Sequence, residues 1–228
     1  MWLPRGAPLW LQFVGFSAYA FTISPLPDTT YLVRDDEIIS VASGSDGTTT
    51  TVTMNTSGRP IALTKANGGE WEGIDLVAAT GSPAVTGNVV TWVDPKDGNV
   101  YAAARSSTGL LIFHRTTGGT WSYRDLAAEL TGELLPVGEL TVLVGVDTIV
   151  RLAGLAANGN LVLFQQTGAE VDAGYQWQFI NLATQHLAPQ SQSTPDFVGG
   201  IISYVTSWNG LNIAGLDASG DIQVVWWA

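Results

Sequence analysis

"FHRTTGGTWSYRDL", residues 113 to 126, and "LTKANGGEWEGIDL", residues 63 to 76, carry Gly-Gly, Trp and Asp-Leu at identical offsets, fifty positions apart. Agreement at a fixed long separation marks one structural unit used twice. Working outward, glycine-ended runs give four copies: "TVTMNTSG" to Gly58, "YAAARSSTG" to Gly109, "RLAGLAANG" to Gly159 and "NIAGLDASG" to Gly220, at intervals of 51, 50 and 61 residues. Each is followed by a second apolar run, "RPIALTK", "LLIFHRT", "NLVLFQQ" or "DIQVVWW". Every copy therefore reads as a tight hairpin.

A further apolar run precedes each hairpin, and three of these runs end in Asp-Gly or Asn-Gly, at 46–47, 97–98 and 209–210. Behind the first three hairpins stand "EWEGIDL", "TWSYRDL" and "YQWQFINL", with Trp71, Trp121 and Trp177 in what reads as a fourth strand. Four antiparallel strands repeated at about fifty residues, with no helical periodicity, predict an all-β β-propeller with about four visible four-stranded blades. A β-sandwich is the main alternative, but it does not require self-similarity at a long period. The blades are expected over 35–80, 81–130, 131–185 and 186–228. The last stops at "VVWWA" after its third strand, so residues 1–34 read as its closing strand, a blade remnant or a leader. The closing strand would run through "APLWLQFVGF" and Trp10.

Composition limits the function classes. The chain has 228 residues, enough for one large all-β domain. Its formal charge of -11, from 20 acidic and 9 basic residues, makes nucleic acid and anionic membrane poor partners. With no cysteine there is no disulfide, thiolate metal site or Cys nucleophile. "MWLPRGAPLWLQFVGFSAYAFTIS" has the early Arg, apolar run and Ala18-Tyr19-Ala20 of a secretory leader, and equally the aromatic and small alternation of strands. No run approaches the ~18 apolar residues of a membrane helix, so no membrane insertion is expected.

Catalytic and metal motifs are thin. "DASGD", with Asp217, Ser219 and Asp221, superficially matches a calcium loop but occupies the hairpin turn spelled "NTSG" and "SSTG" in other copies. "DPKDGN" at 94–99 reads as a turn for the same reason. The two histidines, His114 and His186, have no neighbouring carboxylate cluster. Neither a nucleophile elbow nor a phosphate loop is present. Paired glycosidase carboxylates on different blades remain a third reading. Asp75 and Asp125 recur at equivalent positions, which favours a structural role for them. The recurrent tryptophans read first as blade-to-blade packing.

The unit "NVYAAARSSTGLLIFHRTTGGTWSYRDL" resembles the blade of tectonin-like and fucose-lectin-like propellers, over roughly residues 35 to 228. That resemblance implies saccharide binding in clefts between blades through aromatic stacking and Arg, Glu or backbone hydrogen bonds. The chain departs from it in lacking a repeated Arg or Glu: Arg105 has Met54, Gly154 and Gly215 or Leu216 near its place in the other copies.

The expectation is a non-enzymatic binding propeller for a glycan or a protein, extracellular or at the cell surface, with no cofactor and no metal. The alternative is a structural or interaction segment of a larger secreted or surface propeller protein. The ligand-binding candidates are Arg105, His114 and the aromatics Trp92, Tyr204, Trp208 and Trp226, which do not recur at one sequence offset.

Overall fold

The structure is a computed structural model that describes residues 40–116, 118–171 and 174–227. The expectation for residues 1–34, including Trp10, lies outside the described residues. Three four-stranded antiparallel sheets and one three-stranded sheet follow one another along the chain, each in sequence order. The first blade holds β1 (Ser40–Ser43), β2 (Thr49–Met54), β3 (Pro60–Lys65) and β4 (Trp71–Asp75). The second holds β5 (Val85–Val93), β6 (Val100–Ser106), β7 (Leu110–Arg115) and β8 (Trp121–Asp125). The third holds β9 (Pro136–Val144), β10 (Val150–Ala156), β11 (Leu161–Val171) and β12 (Gly174–Asn181). The fourth holds β13 (Phe197–Val205), β14 (Leu211–Asp217) and β15 (Ile222–Trp227). Strands β1, β5, β9 and β13 pack on one another in that order, so the first strand of each blade lines the inside of an arc. The protein has a β-propeller fold.

The repeated letters of the opening motif each have a physical cause. Its Asp-Leu is a helix start: α1 (Leu76–Thr80) follows Asp75 and α2 (Leu126–Glu129) follows Asp125. Each carboxylate accepts a hydrogen bond from a first-turn backbone N–H, at 3.0 Å from Ala78 and 3.0 Å from Ala127. Asn181 does the same for Thr184 at 3.2 Å, ahead of a one-turn π-helix at Ala183–Leu187. The Leu that follows each cap, Leu76, Leu126 or Leu182, is buried. These one-turn helices were not expected from the sequence, because four or five residues are too few to show a 3.6-residue period.

The hairpin turns need left-handed backbone at one residue. Between the first two strands of successive blades it falls on Gly47, Gly98, Thr148 and Asn209, with φ of 75°, 69°, 60° and 67°. The Asn-Gly at 209–210 thus uses its Asn rather than its Gly for the turn. Between the second and third strands Gly58, Gly159 and Gly220 serve, but Gly109 has no positive φ. The second blade closes this hairpin with a shorter connection, Ser106 N–H donating to the Gly109 carbonyl at 2.9 Å. Gly109 is required instead by close approach: a Cβ there would lie 2.6 Å from both Asp125 carboxylate oxygens.

Packing between blades forms three cores. Val52, Met54 and Ala62 of the first blade meet Ala102, Leu111, Phe113 and Trp121 of the second. Trp92, Tyr101 and Ile112 of the second meet Leu152, Phe164 and Trp177 of the third. Leu155, Leu161 and Leu163 of the third meet Phe197, Ile213 and Val225 of the fourth. Because both sheet faces are covered, β6 and β10 are buried along almost their whole length and read as continuous apolar runs, not as alternating ones. Phe113 and Phe164 occupy equivalent places at 0% exposure, and burying each contributes about 2 to 3 kcal/mol. Across the first junction Arg115 reaches Asp46 at 3.0 Å. Asp46 also accepts bonds from the Thr48 hydroxyl and N–H, and with these its carboxyl is held down to about 2.

Candidate ligand-binding site

The strand register explains how the candidate residues relate. Trp92 on β5 lies opposite Tyr101 on β6, which lies opposite His114 on β7. On the fourth blade Tyr204 lies opposite Asn212, which lies opposite Trp226. Counted from the start of each second strand, these are the same positions of the repeat: Trp92 corresponds to Tyr204 and His114 to Trp226. Trp92 and Tyr204 thus share one position of the repeat, which Ala42 and Leu143 hold in the first and third blades. Sequence offsets hid this because the turn between the first two strands differs in length, nine residues separating Trp92 from Tyr101 and eight separating Tyr204 from Asn212. The same register aligns Arg105 with Met54, Leu155 and Leu216, so its third-blade counterpart is Leu155 and not Gly154.

In the second blade this row is covered by the third. Trp92 stacks on Tyr101 with ring centroids 5.6 Å apart, and Tyr101 stacks on His114 at 4.6 Å. Trp177 of the third blade meets Trp92 edge-on at 6.4 Å. All four are at most 9% exposed. The Trp92 indole N–H and both His114 ring nitrogens are buried without a hydrogen-bond partner. Burial lowers the pKa of His114, so the ring is neutral at pH 7. With no outlet to solvent, this row works as blade packing rather than as a platform for a ligand.

Polar groups clasp the same junction. Gln166 Nε2 of the third blade donates to Asp94 Oδ2 of the second at 2.6 Å, and Asp94 is 0% exposed. Burial raises the Asp94 pKa, against the lowering effect of the Gln166 bond. Tyr101 donates its hydroxyl to Asp97 at 2.7 Å, and burial above all raises its pKa. Arg124, paired with Glu129 at 2.6 Å, also donates to the Tyr175 carbonyl across the junction at 2.8 Å. Lys96 sits over the Tyr175 ring at 4.5 Å.

Arg105 lies at the opposite end of β6, on the face turned to the third blade, where Asn88 bridges to both backbone groups of Leu140 at 2.8 Å. Arg59, Arg115, Arg124 and Arg151 each pair with a carboxylate. Among the described arginines Arg105 alone has no such partner. Its Nε is buried without a hydrogen bond, while the residue as a whole keeps part of its surface open. Burial lowers its pKa, with no anionic neighbour to offset the effect. Gly87, at φ 78°, lets the chain pass beside the guanidinium: a Cβ there would stand 2.9 Å from one terminal nitrogen. A fork of N–H donors without a carboxylate partner, on the face turned to the third blade, suits hydroxyl, carboxylate or sulfate oxygens.

The remaining candidates are exposed on the fourth blade: Tyr204 at 47%, Trp208 at 62% and Trp226 at 63%. Trp208 meets Trp226 edge-on at 6.1 Å. Asp217 of "DASGD" accepts bonds from Ser219 N–H and Asp221 N–H at 2.8 and 2.9 Å, which is turn chemistry. Among the described residues no group of three His, Asp or Glu side chains is placed to hold a metal ion. Nor is any described helix long and apolar enough to cross a membrane.

No protein-family model matches the sequence, and no curated protein matches it. Solved structures do resemble it. AofleA from Arthrobotrys oligospora matches with a TM-score of 0.56 at 14% identity, over 87% of this chain and 55% of that one. The BP39L lectin from Burkholderia pseudomallei matches with a TM-score of 0.56 at 13% identity, over 83% of this chain and 52% of that one. Aleuria aurantia lectin, solved as a variant in complex with α-methyl-L-fucoside, gives 0.52 at 12% identity, over 83% of this chain and 59% of that one. This chain therefore spans a little over half the length of these neighbours. At such identities the likeness shows the fold alone, and that fold is a lectin-like propeller.

Proposed function

We propose that the protein is a non-enzymatic, extracellular carbohydrate-binding propeller in which Arg105 donates hydrogen bonds to a saccharide at the cleft between the second and third blades. The observation that carries this reading is the unpaired guanidinium in a chain whose other described arginines are matched with carboxylates. An arginine kept partly out of water without a partner costs free energy, and a bound oxygen acceptor would offset that cost. The fold supports the reading, since Aleuria aurantia lectin holds α-methyl-L-fucoside and Fucα1-6GlcNAc in its structures. The site differs from a repeated one, because Met54, Leu155 and Leu216 stand where Arg105 would recur. One such saccharide site per chain is expected.

The test is a glycan array with the wild-type protein and Arg105→Ala, both shown folded by near-ultraviolet circular dichroism. Binding that Arg105→Ala abolishes supports the proposal. A folded wild-type protein that retains no saccharide, or binding indifferent to Arg105, contradicts it.

A further inference from the structure

Three asparagines of the chain are followed directly by glycine: Asn67-Gly68, Asn158-Gly159 and Asn209-Gly210. Such a pair carries its own reaction. The backbone nitrogen of the glycine attacks the side-chain carboxamide carbon of the asparagine, the bond from that carbon to its amide nitrogen breaks, and ammonia leaves. Water then opens the cyclic imide that remains. Opening at one carbonyl gives Asp, and opening at the other gives isoaspartate, in which the main chain runs through the former side-chain carbon. The attack needs a glycine N–H free to lose its proton and a carboxamide free to turn toward it. It also needs close approach of the two, which the missing side chain of glycine allows.

Folding treats the three pairs differently. In the third-blade hairpin the Gly159 N–H donates to the Ala156 carbonyl at 2.9 Å, and Asn158 Oδ1 accepts from the Asn160 N–H at 3.1 Å. Between β13 and β14 the Gly210 N–H donates to the Thr206 hydroxyl at 2.7 Å, and Asn209 Oδ1 accepts from the Val146 N–H of the third blade at 3.2 Å. Gly210 is also buried, with the Trp208 ring packed against it. In both pairs the attacking nitrogen and the carboxamide are occupied. Asn67 and Gly68 stand between β3 and β4, in the first of the two Gly-Gly turns that share the opening motif. There Gly69, not Gly68, closes the turn, donating its N–H to the Ala66 carbonyl at 3.0 Å. Neither the Asn67 side chain nor the Gly68 N–H has a hydrogen-bond partner among the described residues. Both residues are exposed, and a Cβ built on Gly68 would meet nothing within 4 Å.

We infer that Asn67 is a site of spontaneous deamidation in the folded protein, and that the fold protects Asn158 and Asn209 from the same reaction. At the protected pairs a hydrogen bond of the glycine N–H must break before the attack, and the carboxamide must leave its own partner as well. At Asn67 neither step is required. Each event replaces a neutral carboxamide with a carboxylate and so adds a negative charge to a chain of formal charge -11. The new charge lies close to Lys65, whose ammonium sits over the Trp71 ring at 5.9 Å. Isoaspartate also lengthens the backbone of the turn between Lys65 and Trp71, the pair that ends the β3–β4 ladder.

The test is incubation of the full 228-residue chain at mildly alkaline pH in oxygen-labelled water, once folded and once in denaturant, with peptide mass mapping that scores the three pairs separately. The denatured chain supplies the reference rate of each pair without its folded hydrogen bonds. In the folded protein Asn67 is expected to react at close to its reference rate, while Asn158 and Asn209 are slowed about tenfold or more, the factor imposed by a hydrogen bond that must break first. An acidic, isoaspartate-bearing form should accumulate in the wild type and not in Asn67→Gln, with near-ultraviolet circular dichroism verifying that both are folded. Slowing of Asn67 by folding as great as that of the other two overturns the proposal. So does faster reaction of Asn158 or Asn209 than of Asn67 in the folded chain, or an acidic form that persists in folded Asn67→Gln at the wild-type rate.

Discussion

Replacing Gln166 with Leu tests the polar clasp between the second and third blades. Gln166 is 1% exposed and its Nε2 lies 2.6 Å from Asp94 Oδ2. Leu keeps most of the volume but leaves that oxygen without a donor, while the Lys96 N–H still serves Oδ1 at 2.9 Å. A hydrogen bond to a charged group is worth about 1.5 to 3 kcal/mol, and for a chain of this size each kcal/mol moves the melting temperature by about 2 to 4 °C. The expected loss is about 3 to 12 °C at neutral pH. Its pH dependence has a defined sign. Burial raises the Asp94 pKa above 3.8, so the stability this group contributes is greatest in its protonated state and falls as pH rises through the folded pKa. Removing Gln166 removes the strongest influence that lowers that pKa. The deficit of the variant is therefore largest where Asp94 is charged and narrows on acidification. Thermal unfolding followed by circular dichroism from acid to neutral pH measures both. A deficit below about 1 °C, or one equal at every pH, would refute the reasoning.

His114→Phe should flatten the acid side of the stability profile. A buried His with a lowered pKa contributes stability fully above 6.5 and loses it as pH falls toward the folded pKa, so the wild type should lose more melting temperature between pH 7 and 5 than the variant. Gly109→Ala drives a Cβ into the Asp125 carboxylate that caps α2, and should cost about 1 to 3 kcal/mol in chemical denaturation. Gly58→Ala, whose Cβ would meet no atom within 4 Å, should cost about 1 kcal/mol from its φ of 71° alone. Gly87→Ala pushes on the Arg105 guanidinium and should weaken saccharide affinity about tenfold, read by calorimetric titration. Phe113→Ala opens the first junction and should cost about 3 to 5 kcal/mol.

The fold was legible because a propeller repeats its instructions. Gly58, Gly159 and Gly220 mark hairpins through left-handed backbone, and Trp121 and Trp177 mark junctions because one large ring fills the gap between two sheets. Asp75 and Asp125 recur because the first two blades each end in a helix that needs a cap, although the helix is too short to announce itself. The candidate site was legible only in part. Arg105 stood out as a departure from the repeat, but its lack of a partner depends on which blades its neighbours occupy. Trp92 and His114 look like binding residues in isolation, yet the third blade covers them. Their counterparts Tyr204 and Trp226 differ only in having no described blade in front. Sequence offsets could not reveal this equivalence, because a one-residue difference in a turn shifts the count while leaving the strand register intact.

The most direct test of the central claim is a crystal structure of the protein with a saccharide selected on the glycan array. The account predicts a sugar oxygen within about 3 Å of an Arg105 guanidinium nitrogen at the edge of the cleft between the second and third blades. A saccharide seated on Trp208 and Trp226 instead, with Arg105 unliganded, would contradict it.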